Sequence, residues 1–334
     1  MSSSSSCTNI LSILFTFIVF VLPTSAQQST GACFTSIIGF GDSISDTGNL
    51  IFALNNSHRV NRLPYGETFF HHPTGRFSDG RLIADFIANA LGLPLLTPYL
   101  PYYGDGWSFR KGVNFAVAGS TALNDDFFNE KGIKLETKNI SLDVQLKWFK
   151  DFLSFMCSSK EGHCWSTKLP IGCIPKIPST FHVSNAKDYD EETGCIKWLN
   201  DFSEYYNQLL IKELDHLRKM HPHTTIIYAD YYQALITIYQ SPEKYGFQSS
   251  PLVACCGVGG LYNYNSSCMC GDLGSTVCME PSRHLSWDGL HFTDAAYRKI
   301  ATGLLQGKYT NPPFTETCTL LEPIGNLDFP CNTF

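Results

Sequence analysis

Apolar residues fall along this chain in two rhythms. Residues 35–41, 113–118 and 224–229 are short, nearly continuous apolar runs, and they read as strands buried on both faces. Elsewhere the spacing is helical. Leu82, Ile83, Phe86, Ile87 and Ala90 share one side of a helix that Gly92 and Pro94 close, and Ser78 is the residue expected to cap it. Behind Ser141, the residues Val144, Leu146, Trp148, Phe149, Phe152, Leu153 and Met156 make an amphipathic face. A long helix over 195–220 is expected to bury Trp198, Leu199, Phe202, Tyr205, Tyr206, Leu209 and Leu210, with His216, His221 and His223 solvated near its end. Two more helices follow at 231–239 and 293–300. Between Gly119 and Thr224 no stretch has the apolar character of a buried strand, although a doubly wound sheet needs about five strands.

The first residues follow a different pattern. Residues 10–22 are apolar but too short to span a bilayer comfortably, and Thr24-Ser25-Ala26 supplies small side chains ahead of a polar Gln-Gln. Residues 1–26 therefore read as a secretory signal cut after about Ala26. No other stretch could span a bilayer, so no stable membrane anchor is expected, and residues 27–334 read as a single domain without linker or repeat. Export suits the cysteines: of 13, Cys7 leaves with the leader and the other twelve are an even set that an oxidising compartment can pair. The Cys255–Cys278 cluster lacks the paired spacing of a zinc site, and no metal is expected. Asn55, Asn139 and Asn265 open glycosylation sequons. A net charge of −6, with 16% charged residues and no basic cluster, argues against nucleic acid and anionic membranes as partners.

The candidate chemistry sits at the two ends of the chain. In residues 37–50 the first apolar run stops at two glycines and Ser43, where a strand gives way to a helix-like segment. A serine there stands at a sheet edge among free backbone N–H groups, a good position for a nucleophile. Gly-Asp-Ser is also an ordinary turn sequence. Near the carboxyl end, Trp287-Asp288-Gly289-Leu290-His291 offers a carboxylate and an imidazole three residues apart, expected on one side of a first helical turn. His291 is suited to take the Ser43 proton while Asp288 holds its other nitrogen. Ser78, in Phe-Ser-Asp-Gly, is a second candidate nucleophile, and the aromatic, proline-rich residues 98–105 could line a cleft or pack on the surface.

Together these residues resemble the GDSL-type esterases/lipases of the SGNH hydrolase superfamily, in their secreted plant branch. The resemblance is carried by Phe-Gly-Asp-Ser-Ile-Ser-Asp-Thr-Gly-Asn at 40–49, Gly-Arg-Phe-Ser-Asp-Gly-Arg at 75–81, Gly-Val-Asn-Phe-Ala-Val-Ala-Gly at 112–119, Leu-Pro-Ile-Gly-Cys-Ile-Pro at 169–175 and Trp-Asp-Gly-Leu-His at 287–291. It implies an α/β, flavodoxin-like three-layer sandwich with a central parallel sheet, a Ser43–Asp288–His291 triad, oxyanion donors at the Ser43 and Gly119 N–H groups, and no cofactor. It also implies a secreted, extracellular enzyme of the apoplast or cell wall acting on small acyl, phenolic or lipid esters, as sinapine esterase and alkaloid acetyl esterases do. One family feature is absent. The Gly-x-Asn-Asp block, whose asparagine is a third oxyanion donor, has no match, and Cys164-Trp-Ser-Thr-Lys168 runs directly into Leu169-Pro-Ile-Gly-Cys173. Asn124-Asp125 follows Gly119 too closely to serve. The expectation is a segment of about 30 residues or more missing near 168–169, and with it one or two central strands. Activity would be impaired, or the chain would be a non-catalytic secreted glycoprotein.

Overall fold

The first buried run forms a strand, β2 (Phe34–Phe40), in which Ile37 faces one side of the sheet while Ile38 and Phe40 face the other. This computed structural model describes residues 18–23, 34–103, 109, 111–135, 137–153, 162–166, 168–181, 183, 185–248 and 250–318. The other strands of the central sheet are β1 (Ile18–Pro23), β3 (Gly112–Asn114), β4 (Gly162–Ser166), β5 (Ile226–Ala229) and a short edge strand at Thr310–Asn311, in the order β3-β2-β1-β4-β5-edge. Pairs β2–β3 and β4–β5 are parallel, whereas β1 runs antiparallel to both of its neighbours.

Two layers of helices cover the sheet because its strands alternate. On the Ile37, Ile227 and Ala229 side lie α2 (Ile83–Ala90), α7 (Tyr231–Gln240) and α8 (Asp294–Leu305), which share the largest core cluster. On the Ile38 and Phe40 side, Phe115 packs with Phe149 and Phe152 of α4 (Leu142–Leu153). Ile226 and Tyr228 pack against Leu214 of α6 (Lys197–Met220). Shorter helices are α1 (Asn49–Ala53), α3 (Asp125–Glu130) and α5 (Lys176–Thr180). This is the α/β sandwich the resemblance implies, with a mixed rather than wholly parallel sheet.

Ile18–Pro23, within the stretch read as a leader, lies in the middle of the sheet, paired along its length with β2 and over Ile18–Val21 with β4. Other expectations are corrected. Residues 162–166 form a strand although Gly-His-Cys-Trp-Ser has no buried β character; pairing on both sides holds it, not side-chain preference. Ser78 does not cap α2. The helix starts at Ile83, the Asp85 carboxylate accepts the Leu82 N–H at 2.9 Å, and the Ser78 hydroxyl accepts the Gly80 N–H at 3.0 Å.

The long helix is also rotated from its expected setting. Its buried residues include Leu199, Asn200, Ser203, Asn207 and Leu214, while Trp198, Phe202, Tyr205 and Leu209 are 47%, 41%, 60% and 42% exposed. Two asparagines decide the rotation. Asn200 Oδ1 accepts the Gly172 N–H at 2.9 Å, and Asn207 accepts from Lys168 N at 2.7 Å and donates to Lys168 O at 3.0 Å. Satisfying those buried backbone groups turns the aromatic stripe outward. Of the proline-rich stretch 98–105, residues 104–105 lie outside the described residues and 98–103 do not line the cavity: Tyr99 is buried against Phe109 and Phe115, and Tyr102 and Tyr103 are exposed.

Three bridges join Cys173–Cys195, Cys255–Cys278 and Cys256–Cys270, the latter two flanking a ribbon of Cys256–Gly257 against Thr276–Val277; Cys318 is also disulfide-bonded and Cys268 is free. The Cys255 and Cys278 sulfurs are bonded to each other, so their proximity to His284 is not a metal-ligand set. No helix among the described residues is long and apolar enough to cross a membrane.

Candidate active site

Ser43 lies in a turn directly after β2, not on a helix; α1 begins six residues later at Asn49. The cause is Asp46. Its buried carboxylate accepts the N–H groups of Gly48, Asn49 and Leu50, at 2.7 to 3.0 Å, and that of Ala118 at 2.8 Å. It thereby ties the Ser43 turn to the loop ending at Gly119. Burial nonetheless pushes its carboxyl up to about 6. Gln145 of α4 reinforces the tie: its amide bonds both to the backbone of Gly41, twice at 2.9 Å, and to the Ser120 hydroxyl. Asn49 adds bonds to the carbonyls of Asn114 and Ala116. Gly119 has φ +82°, and a Cβ there would stand 2.6 Å from the Thr137 hydroxyl, so only glycine fits without rearrangement. Among the described residues, no group accepts a hydrogen bond from the Ser43 or Gly119 N–H.

At the other end of the chain, Asp288 and His291 are brought together by a tight turn, not by a helical one. Asp288 Oδ1 accepts the N–H groups of Leu290 and His291 at 2.9 and 2.8 Å. This local side-chain-to-backbone pattern replaces helical bonds. Oδ2 lies 2.7 Å from His291 Nδ1 and accepts the Tyr65 hydroxyl at 2.8 Å. Burial alone would raise the Asp288 carboxyl. The nearby imidazole and the converging donors outweigh it and hold the group well below the usual carboxylate range, so it is ionised and Nδ1 is the donor. His291 is 3% exposed, and its Nε2 is buried with no hydrogen-bond partner among the described residues. Phe77 packs on the imidazole ring, 4.5 Å between centroids.

The block at 75–81 braces this loop. Arg76 forms a two-pronged ion pair with Asp85 at 2.8 and 2.9 Å, the Asp79 carboxylate accepts the Asp294 N–H at 2.7 Å, and Arg81 pairs with Asp294. So α2, α8 and the turn carrying His291 are locked to one another.

Ser43, Gly119, Asp288 and His291 all line one cavity of about 460 Å³. Its walls include Leu50, Leu54, Phe77, Leu169, Ile171, Ile174 and Tyr264, with Asp42, His58, Arg59, Lys168 and Lys176 as further ionisable groups. The carboxylate of Asp42 is pushed up by burial, and His58 is pushed down to about 4 by burial and by Arg59. Asn124, set aside in the sequence, caps α3 at the surface by accepting the Phe127 N–H at 3.2 Å. Among the described residues, no asparagine or glutamine side chain lines the cavity. A hydroxyl, an imidazole with one committed and one vacant nitrogen, and unengaged N–H donors in a largely apolar pocket are parts suited to acyl transfer.

A family model described as GDSL-like lipase/acylhydrolase matches residues 37–159 and 163–304. The chain belongs to that family. It is 43% identical to a GDSL esterase/lipase of Arabidopsis thaliana, with 91% of each chain covered, and 40% identical to a sinapine esterase of Brassica napus, covering 92% of this chain and 94% of that one. Homologues of this kind make it a serine ester hydrolase by family. The Arabidopsis alignment runs to 368 positions, whereas 91% of these 334 residues is about 304, so about 60 positions of the relative have no counterpart here. The family match is interrupted at 160–162, reaching the first residue of β4 and falling earlier than the 168–169 junction expected from the sequence.

Sequence reasoning missed Tyr65, Gln145, Asp46 and Lys168. Tyr65 lies in a loop that reads only as polar and aromatic, 223 residues from the carboxylate it touches. Asp46 and Gln145 carried a legible signal: an acidic residue ahead of Thr-Gly-Asn, and a polar side chain within an otherwise apolar helical stripe.

Proposed function

We propose that this protein is an exported serine carboxylic-ester hydrolase acting on small acyl or phenolic esters through Ser43. Ser43 Oγ attacks the carbonyl carbon and its proton passes to His291 Nε2, which Asp288 orients from the opposite side of the ring. The alcohol leaves with that proton, and water, deprotonated by the same nitrogen, cleaves the acyl-enzyme. Charge developing on the carbonyl oxygen falls on the Ser43 and Gly119 N–H groups. The observation that carries this reading is the buried, unpartnered His291 Nε2 in the same cavity as Ser43, with its other nitrogen 2.7 Å from Asp288. A buried polar atom without a partner costs about 1–3 kcal/mol, a cost retained where a reacting group will occupy the vacancy.

Support for small esters comes from the modest cavity and its mixed lining, and from the sinapine esterase among the relatives. Support for export is the apolar leader with its small-residue end, the bridged cysteines, and the exposure of Asn55, Asn139 and Asn265, which glycosylation requires. Among the described residues no asparagine side chain lines the cavity, which supports a rate below that of a family member carrying the third oxyanion donor that the resemblance implies. The decisive experiment is labelling of the folded protein with a fluorophosphonate. Labelling that disappears in Ser43→Ala, together with turnover of aryl acetates, is the expected result; a folded sample that takes no label identifies a binding protein instead.

A further inference from the structure

We infer that the Lys168 ammonium is a catalytic donor to the oxyanion formed when Ser43 attacks its ester, a role that rests on the esterase reading above. Lys168 is 1% exposed, lines the cavity with Ser43, Gly119 and His291, and its Nζ has no hydrogen-bond partner among the described residues. The start of the side chain is fixed, since Asn207 of α6 holds both the N–H and the carbonyl of Lys168. Its head rests against ring faces, 4.5 Å from the Tyr206 centroid and 5.8 Å from that of Phe202. Contact with a ring face leaves the three N–H donors of an ammonium uncommitted.

A lone buried cation is costly and is ordinarily paired. The nearest opposite charge, felt through space, is Asp42, the residue preceding the nucleophile. Asp42 gives one oxygen to the Ile44 N–H at 2.9 Å. The other cations of the cavity are placed differently: Arg59 sits 3.9 Å from Asp272 and is partly exposed, and Lys176 has a partner. With no side-chain amide at the cavity among the described residues, Lys168 is the buried side-chain donor they leave to complement the two backbone N–H groups. In the step itself, the bond from Ser43 Oγ to the carbonyl carbon forms, the Oγ proton moves to His291 Nε2, and the carbonyl π pair becomes the negative oxygen that Lys168 receives. Collapse returns that pair and expels the alcohol with the proton from His291.

Burial holds the Lys168 ammonium down to about 7, against the opposing pull of Asp42. The donor is therefore fully present below that value and lost as pH rises through it. The charged and titratable groups around it are Asp42 after β2, Tyr206 on α6, Tyr231 on α7, Lys176 on α5, His58, Arg59 and Tyr65 in the loop before α2, and Asp288 and His291. Of these, Tyr65 is held well above its ordinary range by burial and His58 is pushed down to about 4.

The test is hydrolysis of a neutral aryl acetate by the full chain from about pH 5 to 9, comparing wild type with Ser43→Ala, Lys168→Met and Lys168→Arg. Lys168→Met should lose roughly a hundredfold to a thousandfold in kcat with KM unchanged. Lys168→Arg, which stays charged throughout, should keep most of the rate and lack the fall above about pH 7. Wild-type kcat and pH profile in Lys168→Met overturn the assignment. So does a change confined to KM for acidic esters, which makes the ammonium a carboxylate subsite. If Lys168→Met does not fold, an unaltered alkaline fall in Lys168→Arg overturns it. Wild-type turnover no greater than that of Ser43→Ala removes the esterase reading itself, whereas Ser43-dependent turnover indifferent to Lys168 removes only this inference.

Discussion

On the His291 side of the cavity, Asp288 receives four hydrogen bonds, the imidazole is sandwiched against Phe77, and two buried ion pairs brace the loop. On the other side, around β4 and the start of α6, an ammonium is buried with no hydrogen-bond partner among the described residues, and four large apolar side chains face solvent. The two sides differ in how fully their polar side chains are paired among the described residues. The motif blocks at 75–81 and 287–291 complete one another across more than 200 residues. The β4 side follows the interruption in the family match.

That contrast makes strong demands of mutagenesis. Asp288→Asn should cost about ten-thousandfold in kcat at neutral pH, because an amide stabilises the wrong imidazole tautomer. Since the folded carboxyl is held below its ordinary value, its contribution to stability is complete above about pH 4 and is lost as pH falls toward the folded value. An acid titration by circular dichroism should therefore show a shallower loss in Asp288→Asn. Arg76→Met leaves Asp85 buried and uncompensated and should lower unfolding free energy by about 3–5 kcal/mol, measured by urea denaturation. Tyr65→Phe removes one charge-assisted bond worth about 2 kcal/mol, so kcat should fall roughly thirtyfold with KM unchanged. Least of all, Trp198→Glu and Tyr205→Lys on the exposed face of α6 should shift stability by no more than about 0.5 kcal/mol. A loss of several kcal/mol there would show that this face is covered, and the contrast between the two sides would fail.

The elements legible in the sequence are those whose own residues determine them. β2 and β5 are apolar enough to be buried on both faces, and α8 begins at Thr293, whose hydroxyl accepts the Ala296 N–H. Ser43, Asp288 and His291 stand out in the sequence because local spacing announces them. β4 could not be read, since a Gly-His-Cys-Trp-Ser strand is made by its neighbours and not by its composition. The setting of α6 was misread for a related reason. Hydrophobic count favours burying Trp198 and Tyr205, but the hydrogen bonds that Asn200 and Asn207 make to distant backbone groups outweigh it. Tyr65 and Lys168 were missed because each acquires its meaning from a contact that sequence spacing does not encode.

The antiparallel strand at Ile18–Pro23 gives proteolytic maturation a structural cost. A peptidase cutting after Ala26 would excise the ribbon between β2 and β4, leaving both with unpaired backbone groups facing an open slot. Such bare borders invite pairing with other chains. The same few residues would then have to serve both as a disposable address label and as a permanent beam, and the amino-terminal sequence of active protein tells which of the two the cell keeps.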